Sequence, residues 1–105
     1  MDKKKISKQL NIFTKRVQNK YKPEKIILFG SYAQGKATKY SDVDILVISQ
    51  SFKDIDPFKR HLALHKLTQD LNPDINAIGY TLEETKKLSY LTTLRDALQT
   101  GIQIA

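Results

Sequence analysis

The 105 residues carry 18 Lys and Arg against 11 Asp and Glu, a formal net charge of +7, and 40% of them are hydrophobic. That balance lies on the folded side of the disorder boundary, and four Gly with three Pro exclude a collagenous or low-complexity chain. The length is that of one small domain, read here as a single unit over 1–105, with a modest core and little room for a deep private pocket.

The absence of Cys removes disulfides, thiolate nucleophiles and Cys-based zinc sites together. It suits a reducing compartment, so a cytoplasmic location is expected. The N-terminal MDKKKISKQL is basic, but no apolar signal core follows it, and no apolar run approaches the ~20 residues that span a bilayer, so neither secretion nor a membrane association is expected. Residues 1–40 hold eleven Lys and Arg against two acids, whereas the remainder sums to −2. A solvated basic helix face explains this surplus. Aromatics do not interleave with the lysines as a single-strand stacking platform requires, so direct nucleic-acid binding is not favoured.

In chain order, Ile6, Leu10, Phe13, Val17 and Tyr21 recur at helical spacing and predict a helix over about 3–21, ended by Pro23. Lys25 to Phe29 is a short apolar run between Pro23 and Gly30, which predicts a strand buried on both faces; Val43 to Ile48 predicts a second. The polar GSYAQGKATKYS between them has room for a helical turn or two. Asp56 as N-cap and Pro57 at the first position open a helix predicted to run to about Leu71 on Phe58, Leu62, Leu64 and Leu67. Asn72-Pro73 ends it, and Asp74 to Tyr80 predicts a third strand. Thr81 and Glu84 form a capping box for a helix from Leu82, with a break near Ser89 before Leu91, Leu94 and Leu98 continue the apolar stripe. Helices alternating with strands predict one α/β domain.

Asp42 and Asp44 flank Val43 at the start of a strand, so both side chains project from one face, about 6.6 Å apart along it. Two like charges there repel unless a cation sits between them, and hard oxygen ligands select Mg²⁺ or Mn²⁺ completed by substrate phosphates. The substrate so implied is a nucleoside triphosphate. Gly30 and Ser31, directly after a buried strand, provide a turn whose amides and hydroxyl can cradle phosphate; Gly35 turns the chain again and Ser41 precedes the acid pair. With each residue type near ~7% of usage, five such fixed positions coincide by chance roughly once in a million. Gly30 to Lys36 also approaches a P-loop, but the metal-binding hydroxyl would fall on Ala37, and a strand follows where a P-loop opens a long helix.

Gly30-Ser31-Tyr32-Ala33-Gln34-Gly35 through Ser41-Asp42-Val43-Asp44-Ile45 resembles the signature of the minimal nucleotidyltransferases of the DNA polymerase beta superfamily, and the order of elements extends the resemblance over nearly the whole chain. The resemblance implies an α+β nucleotidyltransferase fold, a small mixed sheet of three to four strands flanked by helices. It implies that Gly30, Ser31, Gly35, Lys36 and Ser41 hold the nucleotide, ATP by expectation. It implies further that Asp42 and Asp44 bind magnesium (or Mn²⁺) and that a third carboxylate on a neighbouring strand completes the catalytic and metal site. Asp74 is the candidate; Asn76, two residues on and therefore on the same face, would put an amide there if the register favours it. Many relatives carry an arginine where this chain has Gln34, and Lys36 or Lys39 stands in as a point charge.

The implied reaction is Mg²⁺-dependent transfer of a nucleoside monophosphate to a hydroxyl. Relatives that modify antibiotics or extend polynucleotides add domains for the acceptor, and this chain is expected to find its acceptor on a partner protein. Chains of this length resemble antitoxins paired with HEPN-type RNase toxins. The alternative is a binding subunit that has kept the fold, lost catalysis and acts by complex formation; among partners, a homo-oligomer is also open. His61 and His65, one helical turn apart, are read as ordinary helix residues because no third metal ligand is evident. Tyr32 and Tyr40 are expected to pack against their own loop, and Glu83 with Glu84 to be helix-start charges.

Overall fold

In the computed structural model, residues 3–88 and 90–105 are described, with side chains from Ile6 onward. The first apolar stripe forms α1, Lys3–Tyr21, which buries Phe13, Val17 and Tyr21 along one side while Lys8, Lys15 and Lys20 face water. After Pro23 the chain enters β1, Lys25–Phe29, then a single turn of helix, α2, Gly30–Ala33. β2 is Val43–Ile48. Every residue of these two strands except Lys25 and Asp44 is buried, as their continuous apolar sequences require.

A short 3₁₀ turn, Gln50–Phe52, leads to α3, Pro57–Lys66, capped by the Asp56 carboxylate accepting from the amides of Phe58 and Lys59. β3 is Ile75–Tyr80; α4, Leu82–Lys87, and α5, Thr92–Thr100, follow, and β4, Ile102–Gln103, closes the chain. The strands form one mixed sheet in the order β3-β2-β1-β4. β1 runs antiparallel to β2 and β4, whereas β2 and β3 are parallel, in the register Val43↔Ile75 and Asp44↔Asn76. The parallel pair requires a crossover, and α3 supplies it.

Alternation along the strands sorts the core into two layers. Ile26, Leu28, Val43, Ile45, Ile75 and Ala77 face α1 and α3, meeting Phe13, Val17 and Leu64. Ile27, Phe29, Leu46 and Ile48 face α5, meeting Leu94 and Ala97. By the same alternation Asp44 lies on the α5 face.

Three expectations are corrected. The helix predicted to reach Leu71 ends at Lys66, because the amides of Leu67 and Thr68 bond three residues back and the Thr68 hydroxyl donates to the His65 carbonyl, tightening the chain into turns. The third strand starts at Ile75, one residue later than predicted. Tyr40 does not pack on its loop: it is 82% exposed, with Lys39 Nζ 5.0 Å from its ring centre. The interruption expected near Ser89 separates α4 from α5, although Ser89 itself is outside the described residues.

The far edge of the sheet is held by α3. Arg60, only 3% exposed, donates to the carbonyls of Ile55 and Gly79 and forms a two-pronged ion pair with Glu84, at 2.6 and 3.1 Å. Glu84 in turn completes the capping box with Thr81. One carboxylate therefore starts α4 and neutralises the buried guanidinium that seals the edge of β3.

Candidate active site

The site is built where β1 ends and β2 begins. Leaving β1, the chain must reverse at once, and Gly30 does so at φ +73°, a left-handed conformation that an L side chain resists. Space imposes the same choice, since a Cβ at Gly30 would collide with Oδ2 of Asp44. Gly35, at φ +70°, makes the second reversal in open surroundings, where conformation alone asks for glycine.

Asp42 is exposed and Asp44 half-buried, the pair standing at the mouth of β2 as expected. Burial raises the Asp44 carboxyl above the ordinary carboxylate range; a hydrogen bond from Asn76 opposes this and the Asp42 charge adds to it. Burial, then the Asp42 charge, also raises the Tyr32 phenol. An anionic pair that is partly desolvated and has open space beside it fits one hard divalent cation, which needs one or two carboxylates and takes its other ligands from water and phosphate.

The parallel register decides which β3 residue stands opposite. Asn76 pairs with Asp44, and its Nδ2 donates to Asp44 Oδ1 at 3.4 Å. Asp74 lies just before β3, with its carbonyl accepting from the Val43 amide at 2.8 Å, and shares a cleft with Asp42. Among the described residues no three His, Asp or Glu side chains gather closely enough to hold a metal by themselves, so Asp42, Asp44 and Asp74 do not form a closed ligand set.

Of the other expected residues, Ser31 is half-buried in the first turn after β1 and its carbonyl accepts from the Lys36 amide at 2.9 Å. The Lys36 and Lys39 side chains are exposed. Ser41 is occupied locally, its hydroxyl accepting from the Thr38 amide at 2.9 Å. Tyr32 packs against the core rather than only its own loop, and borders an apolar groove of about 410 Å³ against Ile6, Leu10 and Leu28.

Two clefts flank the acid pair and meet at Asn76. One, of about 440 Å³, lies under the start of α5 and contains Gly30, Asp44, Thr92, Thr93 and Asp96. The other, of about 480 Å³, lies against α3 and contains Asp42, Asp74, His61, His65, Thr68 and Gln69. Sequence reasoning missed the contribution of α5: Thr92, Thr93 and Asp96 have no motif, and only the fold brings them to Gly30. His61 is half-buried and His65 exposed, with Nδ1 of His61 bonded to the Ala77 carbonyl at 2.9 Å.

The chain with this glycine turn against a carboxylate at the mouth of a mixed sheet matches the nucleotidyltransferase domain family over residues 10–99, and belongs to it. Over 73 residues it is 40% identical to "Putative protein adenylyltransferase MJ1305" of Methanocaldococcus jannaschii, a match covering 68% of this chain and 46% of that protein. The chain spans less than half the length of the curated relatives it matches. A "putative nucleotidyltransferase" from Sulfolobus solfataricus superposes with a TM-score of 0.63 at 19% identity, covering 98% of this chain and 87% of that one, a likeness of fold alone. A solved "toxin-antitoxin with AMP-PNP" superposes with a TM-score of 0.59 at 28% identity, over 100% of this chain and 73% of that one.

Proposed function

We propose that this domain transfers AMP from ATP to a hydroxyl on a partner protein. The observation that carries the reading is the close approach of Gly30, at positive φ, to an Asp44 whose carboxyl feels the charge of Asp42 just before the strand. Asp42 and Asp44 would hold Mg²⁺ or Mn²⁺. When bound, that ion neutralises triphosphate charge and the charge that develops as the bond to phosphorus breaks. Gly30 and Ser31 position the phosphates, with Gly35 shaping the turn, Lys36 adding positive charge and Ser41 holding the loop. The acceptor oxygen forms a bond to the α-phosphorus while the bond to the α–β bridging oxygen breaks. Pyrophosphate leaves with that electron pair, and the hydroxyl proton passes to Asp74, which lies in the cleft of Asp42.

The adenylyltransferase names of the relatives support ATP as donor, and the toxin-antitoxin neighbour supports a protein partner, taken here as a HEPN-type toxin with this chain as its antitoxin. The cysteine-free composition suits a cytoplasmic setting. Among the described residues no helix is long and apolar enough to cross a membrane. In the test, the partner co-expressed with this chain is examined by mass spectrometry for added AMP. The modification is expected with the wild type and absent with Asp44→Ala; an unmodified partner in both refutes transfer.

Asn76 favours a second reading, a binding subunit without catalysis, because an amide faces Asp44 where the resemblance asks for a third carboxylate. Under it, Asp44→Ala and the wild type neutralise the partner equally.

A further inference from the structure

Resting on the transfer reading above, the two clefts divide the labour of the reaction. In-line displacement places the attacking and leaving oxygens on opposite sides of the phosphorus. With the phosphates drawn to Gly30 and Ser31, beside the cleft under α5, the attacking hydroxyl must arrive from the other side of the acid pair. That side is the cleft against α3. Its volume of about 480 Å³ suits one side chain and its neighbours.

The chemistry of this cleft selects the acceptor. With Asp42 given to the cation, Asp74 remains in it as a carboxylate that a polynucleotide end would bring its phosphates against, whereas an uncharged or basic polypeptide segment meets no such repulsion. The outer side of α3 continues the cleft as a stripe: Phe58, His61, Leu62 and His65 stand at i, i+3, i+4 and i+7, one face of a helix. Phe58 is 66% and Leu62 45% exposed, an apolar flank beside a polar pocket, and the two imidazoles lie nearly parallel at 6.4 Å. The Ala77 carbonyl can only accept, so His61 Nδ1 donates to it and the ring is held in a fixed orientation at the cleft.

We propose that the cleft between α3 and the mouths of β2 and β3 seats a polypeptide segment bearing a Ser, Thr or Tyr hydroxyl, and that His61, Phe58 and Leu62 determine which segment is accepted. The His61 ring, anchored on Ala77, forms a polar wall for the incoming hydroxyl and its backbone, and the two apolar side chains take up the flanking residues.

The full chain is saturated with Mg²⁺ and α,β-methylene-ATP and titrated with basic peptides that each carry one Tyr, Ser or Thr, then with oligoadenylate bearing a free 3′-hydroxyl, while the His61 and His65 ring signals are followed by NMR. The peptides are expected to shift both rings. Leu62→Lys and His65→Lys, both at exposed positions, set a positive charge against the basic peptides and should weaken their binding at least tenfold while changing nucleotide affinity less than twofold. The proposal is overturned if oligoadenylate shifts the rings and the peptides do not, if the peptides shift Thr92 and Thr93 instead, or if nothing perturbs His61 while the analogue is bound. A chain that does not bind the analogue at all fails the transfer reading itself.

Discussion

Asn76→Asp converts the amide opposite Asp44 into a third carboxylate and tests both the register and the demand for a cation. Asn76 Nδ2 and Asp44 Oδ1 are 3.4 Å apart, so the substitution replaces a long hydrogen bond with two facing anions. At about 4 Å two unit charges repel by about 1 kcal/mol in water and about 4 kcal/mol at an effective dielectric of 20. Asn76 is exposed and Asp44 half-buried, which places the cost between these limits, at about 2 kcal/mol. For a domain whose whole stability is about 5–15 kcal/mol this is readily measured. In urea denaturation at pH 7 with EDTA, the variant's midpoint should fall by about 1 M at an unchanged slope. Magnesium should restore it, because a cation among three carboxylates turns repulsion into ligation. A variant as stable as the wild type in EDTA and indifferent to magnesium would refute both the facing geometry and the cation site.

Gly30→Ala must adopt a left-handed backbone, at a cost of about 1–2 kcal/mol, and place a Cβ against Asp44, so calorimetry should show at least a tenfold loss of Mn²⁺-nucleotide affinity. Arg60→Ala strips Glu84 and the carbonyls of Ile55 and Gly79 of a buried partner, and should cost about 3–5 kcal/mol in urea denaturation. The Arg60 hydrogen bonds hold the Glu84 carboxyl below the ordinary glutamate range, so the stability it lends is present above about pH 4.3 and is lost as pH falls through its lowered folded value. Melting temperature followed from pH 6 to pH 2 should fall less steeply for Glu84→Gln than for the wild type.

Elements that announce themselves through local chemistry were readable from the residues. Pro23 and Gly30 bracket β1, Asp56-Pro57 starts α3 and Thr81 with Glu84 starts α4, each where its cap or breaker places it. Asp42 and Asp44 were readable because a charge pair on one strand face contradicts the strand's own apolar character. What depends on distant packing was not. The two residues of β4 pair only because α5 returns the chain to β1. Arg60 resembles any surface helix residue until Gly79 and Glu84 are seen around it. The choice between Asp74 and Asn76 needed the parallel register, since both lie on one face and only pairing identifies the neighbour of Asp44.

The central claim is that Asp42 and Asp44 together hold a divalent ion beside a nucleotide cradled at Gly30. Crystals grown with Mn²⁺ and α,β-methylene-ATP allow the ion to be located by its anomalous signal. The account predicts a peak within about 2.5 Å of oxygens from both aspartates, with phosphate density against Gly30 and Ser31. A bound nucleotide with its metal elsewhere, or the two carboxylates facing solvent with no ion between them, would contradict it.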